Sequence, residues 1–265
     1  SVIPMFLGIG QTLVMLSGGI DLSVSATVTL TTVFTAGFTA GRDDLLLPIG
    51  GLCLVIGALA GAVNALIIVK LRVTPIIATL GVMTLGQGLA LIYTREPIGR
   101  VPPALSFVAN GMLGPLPVSS LFLGSALVLS LVLLHRTAYG WHLYAVGGDE
   151  AIARLSGIRV DRVRAAAYVA SGVLAAATGL YLTGRMGSGD PAVGPGLELD
   201  SIAAVLLGGT VLGGGRGGMA GTIPGVLVLT TLSNVFNQLG VDTWYQQIAK
   251  GGIIVLAVTV YRRKD

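Results

Sequence analysis

Apolar residues fall along the chain in long unbroken runs, separated by short polar stretches. A helix that crosses the hydrocarbon of a bilayer needs about 20 mostly apolar residues. Nine runs fit that reading: 2–20, 22–40, 45–69, 74–94, 116–134, 165–184, 201–214, 219–237 and 244–260. Strands of a transmembrane barrel would instead alternate polar and apolar positions over about ten residues. The runs do not alternate, so the pattern predicts helices. The seventh run is short and carries Gly208, Gly209 and Gly213, which predicts a tilted, broken or re-entrant helix.

Composition turns these helices into membrane spans. Of 265 residues, 53% are hydrophobic and 11% charged, against roughly 25% charged in ordinary soluble chains. Mean hydropathy is +0.87. A soluble exterior would need far more charge than this. The expected fold class is therefore all-α: one polytopic membrane domain over 1–265, without a soluble domain. Disorder, a disulfide scaffold and nucleic-acid binding are excluded. Glycine supplies 40 of 265 residues and sits inside the apolar runs, where small residues let helices approach closely without help from water. Pairs such as Gly57–Gly61 and Gly221–Gly225 have that spacing. They predict ordinary helix packing within one subunit, with a dimer seam as the alternative.

The net charge of +4 and pI of about 9.5 follow from topology. Nine alternating spans put Lys70, Arg72, Arg136, Arg154, Arg159, Arg162, Arg164, Arg216, Arg262, Arg263 and Lys264 on one side. The other side has Arg42, Arg95, Arg100 and Arg185, with Lys250 inside the last span. Cytoplasmic loops collect Lys and Arg, so loop 135–164 and the C-terminus are expected inside. Ser1 then lies outside, and one N-terminal span is expected to be missing.

The inner loop carries the most informative segment: Gly147, Gly148, Asp149, Glu150, Ala151, Ile152, Ala153, Arg154, Leu155, Ser156, Gly157 and Ile158. Asp149 is a good N-cap and Gly157 a good helix stop. The carboxylates sit at the positive end of the helix dipole and Arg154 towards the negative end. Ile152 and Leu155 are three apart on one face. A short amphipathic helix is predicted, too short to stand alone in water. It is either a connector lying on its own membrane domain or a docking knob for a cytoplasmic partner.

Other chemistry is sparse. One cysteine, Cys53, excludes an intrachain disulfide, and with only His135 and His142 a metal site is not expected. No Ser-His pair or His-Glu-x-x-His motif occurs in a span, so no catalytic residues are assigned. The stretch from Gly213 to Gly218 formally matches GxGxxG, but no strand precedes it and it lacks the Lys-Ser/Thr of a phosphate loop. It reads as a tight inner turn, so no nucleotide cofactor is expected on this chain. Polar residues within spans are the usual functional suspects. Asp21 either lines a pathway or caps the helix starting at Leu22. Asn64 and Gln87 either bind a polyol or glue helices together. Glu198 and Asp200 either face a substrate entrance or cap the seventh helix. No spacing names a partner for Lys250. Buried acids in mid-span, the usual sign of ion coupling, are almost absent.

Four blocks together resemble the permease subunits of bacterial ABC importers for monosaccharides, the ribose, xylose, arabinose and galactose branch. They are Ser17 to Ser25 (SGGIDLSVS), Thr74 to Gly81 (TPIIATLG), Gly147 to Ile158, and Glu198 to Ala204 continuing through Leu207-Gly208-Gly209-Thr210 to Gly214. The blocks run in the family's order along nearly the whole chain. Ser25 departs from the family's usual Gly, and with about ten spans in the family the resemblance too implies that one N-terminal span is missing. The resemblance implies alternating access in a type II importer-like permease. It implies that the block 147–157 docks on an ABC ATPase subunit, which alone binds ATP and Mg. It further implies a second permease copy or paralogue, a periplasmic or extracellular sugar-binding protein, and contact with membrane lipid. An ion-coupled secondary carrier for a small polar solute is the alternative.

Overall fold

A computed structural model describes the backbone of residues 2–262 and, except for Thr243 and 254–262, the side chains. Ser1, Arg263 and Lys264, and the Arg262 side chain, lie outside the described residues. The described residues fold into twelve α-helices: α1 Val2–Leu16, α2 Val24–Thr39, α3 Leu46–Val69, α4 Pro75–Tyr93, α5 Pro103–Asn110, α6 Val118–Arg136, α7 Ala138–Gly148, α8 Glu150–Leu155, α9 Val160–Met186, α10 Leu197–Leu207, α11 Met219–Gln238 and α12 Thr243–Arg262. A two-residue hairpin, Met112–Leu113 with Leu116–Pro117, is the only sheet among the described residues. Five segments among them are long and apolar enough to cross a bilayer: Asp43–Val69, Pro75–Tyr93, Val118–Arg136, Val160–Met186 and Met219–Gln238.

α2 sits at the centre, against α3, α4 and α9. It buries Thr27, Thr29, Thr31, Thr32, Thr35 and Thr39. Each of these hydroxyls bonds back to a carbonyl three or four residues earlier, such as Thr35 to Thr31 at 2.6 Å. A threonine-rich helix can therefore lie in an apolar interior with its polar atoms satisfied. α3 and α9 cross backbone to backbone. A methyl group on Gly57 would strike the Gly172 carbonyl, and one on Gly61 the Tyr168 carbonyl. Gly221 and Gly225 likewise meet Gly208 and Ala204 across α10 and α11. These glycine pairs serve packing within the subunit. Between α1 and α11, the hydroxyls of Thr12 and Thr222 bond at 2.7 Å, an interhelical bond of the kind that joins membrane helices.

The structure corrects three sequence expectations. Runs 2–20 and 22–40 do not meet at a simple inner turn. α1 ends at Leu16, α2 begins at Val24, and residues 17–23 form a turn packed against Asn64, Tyr168 and Ser171 of the long helices α3 and α9. The seventh run is broken at its glycines, one of the three expected forms, but its helix does not have the bounds 201–214. α10 starts earlier, at Leu197, and stops at Leu207, where Gly208 and Gly209 turn the chain (φ +86° at Gly209) and 210–218 continues as irregular backbone. Residues 187–196 lead into α10 along α2, with Gly189 against Thr32 and Gly194 against Ser25 and Thr29. Finally, α5 and α7 form between the predicted runs, where no helix was expected over 103–110 or 138–146.

Candidate functional site

The loop between α6 and α9 holds two helices, and the second, α8, has the caps the sequence signals. The Asp149 carboxylate accepts a hydrogen bond from the Ile152 N–H at 3.0 Å. Gly157 takes a left-handed conformation at φ +81° and ends the turn. Ala153 faces inward, 2% exposed, within the cluster that includes Val160 and Val163. Ile152 and Leu155 point the other way, 62% and 89% exposed. A rigid one-and-a-half-turn helix thus presents its two large apolar side chains away from its own protein.

α8 is fastened by ion pairs. Arg154 bonds Glu150 at 2.9 Å and Asp161 at 2.6 Å. Arg164, from the first turns of α9, holds the other Glu150 oxygen at 2.6 Å, and its Nε donates to the Ser17 carbonyl at 3.3 Å. One guanidinium therefore links α8 to the buried turn after α1. Partial burial works to raise the Glu150 carboxyl, but hydrogen bonds and charge from Arg154 and Arg164 outweigh it and hold the group below its ordinary range. A depressed acid gives its stabilisation above the unfolded value and loses it as pH falls through the folded one. Hydrogen exchange of amides 149–157, corrected for intrinsic rate, is expected to be insensitive to pH above the ordinary glutamate range. Protection should fall below it. Unchanged protection in acid would show that the pair does not fasten α8.

The end of α7 adds a second link. A Cβ on Gly147 would collide with the Leu16 carbonyl and the Gly215 N–H, so only glycine permits this approach. The Gly215 N–H bonds the Leu16 carbonyl at 3.0 Å, and Tyr144 Oη donates to the Gly217 carbonyl at 2.9 Å. The end of α1, the end of α7 and the glycine turn 213–218 thus meet at one junction on the inner side. Gly148 differs from Gly147: open space surrounds the position its Cβ would take.

The polar residues singled out along the chain fall into three places. Asp21, fully buried, lies in the turn before α2. Its Oδ1 accepts from the Ser23 N–H at 3.0 Å and Ser23 Oγ at 2.6 Å, and lies 3.4 Å from Asn64 Nδ2. Its Oδ2 accepts from Ser171 Oγ at 2.7 Å. Asn64 also donates to Ser23 Oγ at 2.7 Å. Asp21 thus holds the turn ahead of α2, whose N-cap position is Ser23, and Asn64 ties that turn to α3. Both side chains are fully buried in the single subunit.

Gln87 and Glu198, far apart in sequence, line one cavity of about 380 Å³ with Ser25, Met83, Thr84 and Pro195. Gln87 Nε2 donates to the Pro191 carbonyl at 2.9 Å, which leaves its oxygen turned to other partners. Glu198 Oε2 accepts from the Gly196 N–H at 3.0 Å, in the first turn of α10. Thr84 and Pro195 are exposed on the single subunit, so the cavity opens on its exterior. Asp200 is elsewhere: its Oδ2 takes Lys250 Nζ of α12 at 2.8 Å. That partnership spans 50 residues and had no local signal. Ser23 and Ser171, which bond Asp21, carry no sequence signal either, because serines in apolar runs look like ordinary helix packing. Among the described residues, no group of His, Cys, Asp and Glu has metal-site geometry.

Residues 1–258 match the family described as branched-chain amino acid transport system / permease component. The chain belongs to that family. The ribose import permease protein RbsC of Bacillus subtilis is 43% identical to it over 260 residues, covering 97% of this chain and 80% of that protein. RbsC of Escherichia coli K12 is 40% identical over 264 residues, with 98% and 82% covered. The autoinducer 2 import system permease protein LsrC of Klebsiella pneumoniae is 37% identical over 262 residues, with 98% and 75% covered. No solved structure matches the chain. The permease is thus a multi-pass inner-membrane subunit of an ABC importer, a transport component rather than an enzyme. Such subunits work with an ATPase and a substrate-binding partner, and the ion-coupled carrier reading falls away.

Proposed function

We propose that the permease passes a monosaccharide or a closely related polyol into the cytoplasm by alternating access, with ATP and Mg bound only on a separate ATPase subunit. The observation that carries the driven mechanism is α8: a capped, ion-paired helix with Ile152 and Leu155 exposed on the inner side. An exposed apolar pair on a rigid support is what a partner's cleft recognises. In this reading residues 147–157 form the coupling segment. Movement of the ATPase pushes α8, and Arg164 and the Gly147 junction pass the displacement to Leu16 and Ser17.

The solute reading rests on the cavity and the relatives. Gln87 and Glu198 present oxygen acceptors, which suit the hydroxyl donors of a sugar. An amino acid carboxylate is best met by a cation, and no Lys or Arg lines that cavity. The family description names branched-chain amino acids, whereas the relatives at 43% and 40% identity are ribose permeases. Because the cavity opens on the subunit's exterior, a second permease copy or paralogue would complete the pathway. A periplasmic or extracellular binding protein would deliver the solute.

Proteoliposomes test this. With the ATPase and binding protein, labelled ribose or another monosaccharide should accumulate only when ATP is supplied. The permease alone, under a pH or sodium gradient, should accumulate none. Gradient-driven uptake would overturn the ATP-driven reading, and leucine accumulation without sugar would overturn the solute reading.

A further inference from the structure

We infer that a groove between the inner halves of α3 and α9 binds an anionic phospholipid, with its phosphate on Lys70, Arg159 and Arg162 and one acyl chain along the helices. The groove encloses about 560 Å³. Its floor is apolar, formed by Ala62, Ala65, Leu66, Val69, Ala165 and Val169. Its rim is cationic: Lys70 closes α3, Arg159 precedes α9, and Arg162 lies in the first turn of α9. All three are exposed, and among the described residues no hydrogen bond or ion pair engages their side chains. The one acid on the rim, Asp161, is already held by Arg154 at 2.6 Å. The rim therefore carries three uncompensated cations.

Two observations select a lipid over other anions. First, the groove has depth. Ala62 lies eight residues before Lys70, roughly 12 Å along the helix at 1.5 Å per residue. A soluble partner could cover the cations, but it could not fill a floor that runs that far into the hydrocarbon. Second, the cations lie at the inner ends of two membrane helices, the level of the headgroups of the inner leaflet. Guanidinium groups grip phosphate oxygens in pairs, while the lysine acts as a point charge. A basic rim over an apolar groove thus matches both halves of an anionic lipid, whereas a soluble anion would match the rim alone. The groove also abuts the link from Asp161 through Arg154 to α8, so a bound lipid would brace α9 beside the coupling segment.

Native mass spectrometry of the permease, purified with its partner subunits and titrated with defined lipids, tests the site. The parent should retain phosphatidylglycerol at least fivefold over phosphatidylcholine. Lys70→Gln with Arg159→Gln and Arg162→Gln should bring the two to parity. Ala165→Leu, which keeps every cation but fills the floor, should lower retention of both. Unfolding temperatures of both variants give the folding control. Should the triple variant misfold, the parent's lipid preference and the Ala165→Leu result decide. The proposal is overturned if the parent shows no preference, if the folded triple variant keeps it, or if Ala165→Leu leaves retention unchanged. Displacement of the lipid by millimolar inorganic phosphate would overturn it too, because a soluble anion would then suffice. Loss of ATPase association in the triple variant with lipid retention intact would assign the cations to the ATPase and overturn it equally.

Discussion

A permease carrying Asp149→Arg and Glu150→Arg is expected to reach the membrane, yet to lose ATP-dependent solute uptake by at least tenfold. Asp149 supplies the cap of α8, and losing such a cap costs about 1 kcal/mol. Glu150 supplies the carboxylate shared by Arg154 and Arg164. Two new cations would stand at the positive end of the helix dipole and beside two existing guanidinium groups. α8 would lose its cap and its fastening to α9 together, and with them the route to Ser17. Neither Asp149 nor Glu150 belongs to the buried core, so the helices should still assemble. Gly147→Val should act in the same direction by forcing Leu16 and Gly215 apart, whereas Gly148→Val should act less, since its Cβ enters open space. Uptake per ATP hydrolysed in proteoliposomes is the readout. Parent-like ratios in the double variant would disprove the coupling role of α8.

The second large effect is expected at Asp21. Asp21→Leu should lower the unfolding temperature in detergent by on the order of 10 °C. The carboxylate satisfies Ser23, Ser171 and, at longer range, Asn64 in a fully buried place. A buried polar group left without its partner costs about 1–3 kcal/mol, and about 1 kcal/mol shifts melting by roughly 2–4 °C at this size. Asp21→Asn keeps one acceptor oxygen and should fall between parent and Leu. A Leu variant melting within about 2 °C of the parent would show that the cluster does not hold the turn after α1 in place.

Which features could be read in advance follows from what each one depends on. The long helices were legible because the bilayer forces their backbones to bond internally and their side chains to be apolar, and α3, α4, α6, α9 and α11 lie within a few residues of the predicted runs except at the inner end of α9. α8 was legible because its signals are local: a capping Asp149, a stopping Gly157 and charges in dipole order. The ends of α1, α2 and α10 were not. An apolar run containing glycine looks the same whether it continues as helix or turns, and only the neighbours decide. Here those neighbours are Asn64 and Ser171 for the turn at 17–23, and Gly221 for Gly208. Pairings across distance were likewise hidden. Asp200 with Lys250, and Gln87 with Glu198 on one cavity, exist because the helices place them together.

The shortness of α10 bears on how the polypeptide enters its bilayer. Eleven residues make roughly 16 Å of helix, about half the thickness of the hydrocarbon. Such a segment is too brief to be recognised and released by the insertion machinery on its own hydrophobicity. It must be drawn in by its neighbours, with Gly208 and Ala204 lodging against Gly221 and Gly225. A nascent chain ending before α11 would therefore lack the glycine partners of Ala204 and Gly208, leaving Met5 and Met15 of α1 as the packing partners already made for α10.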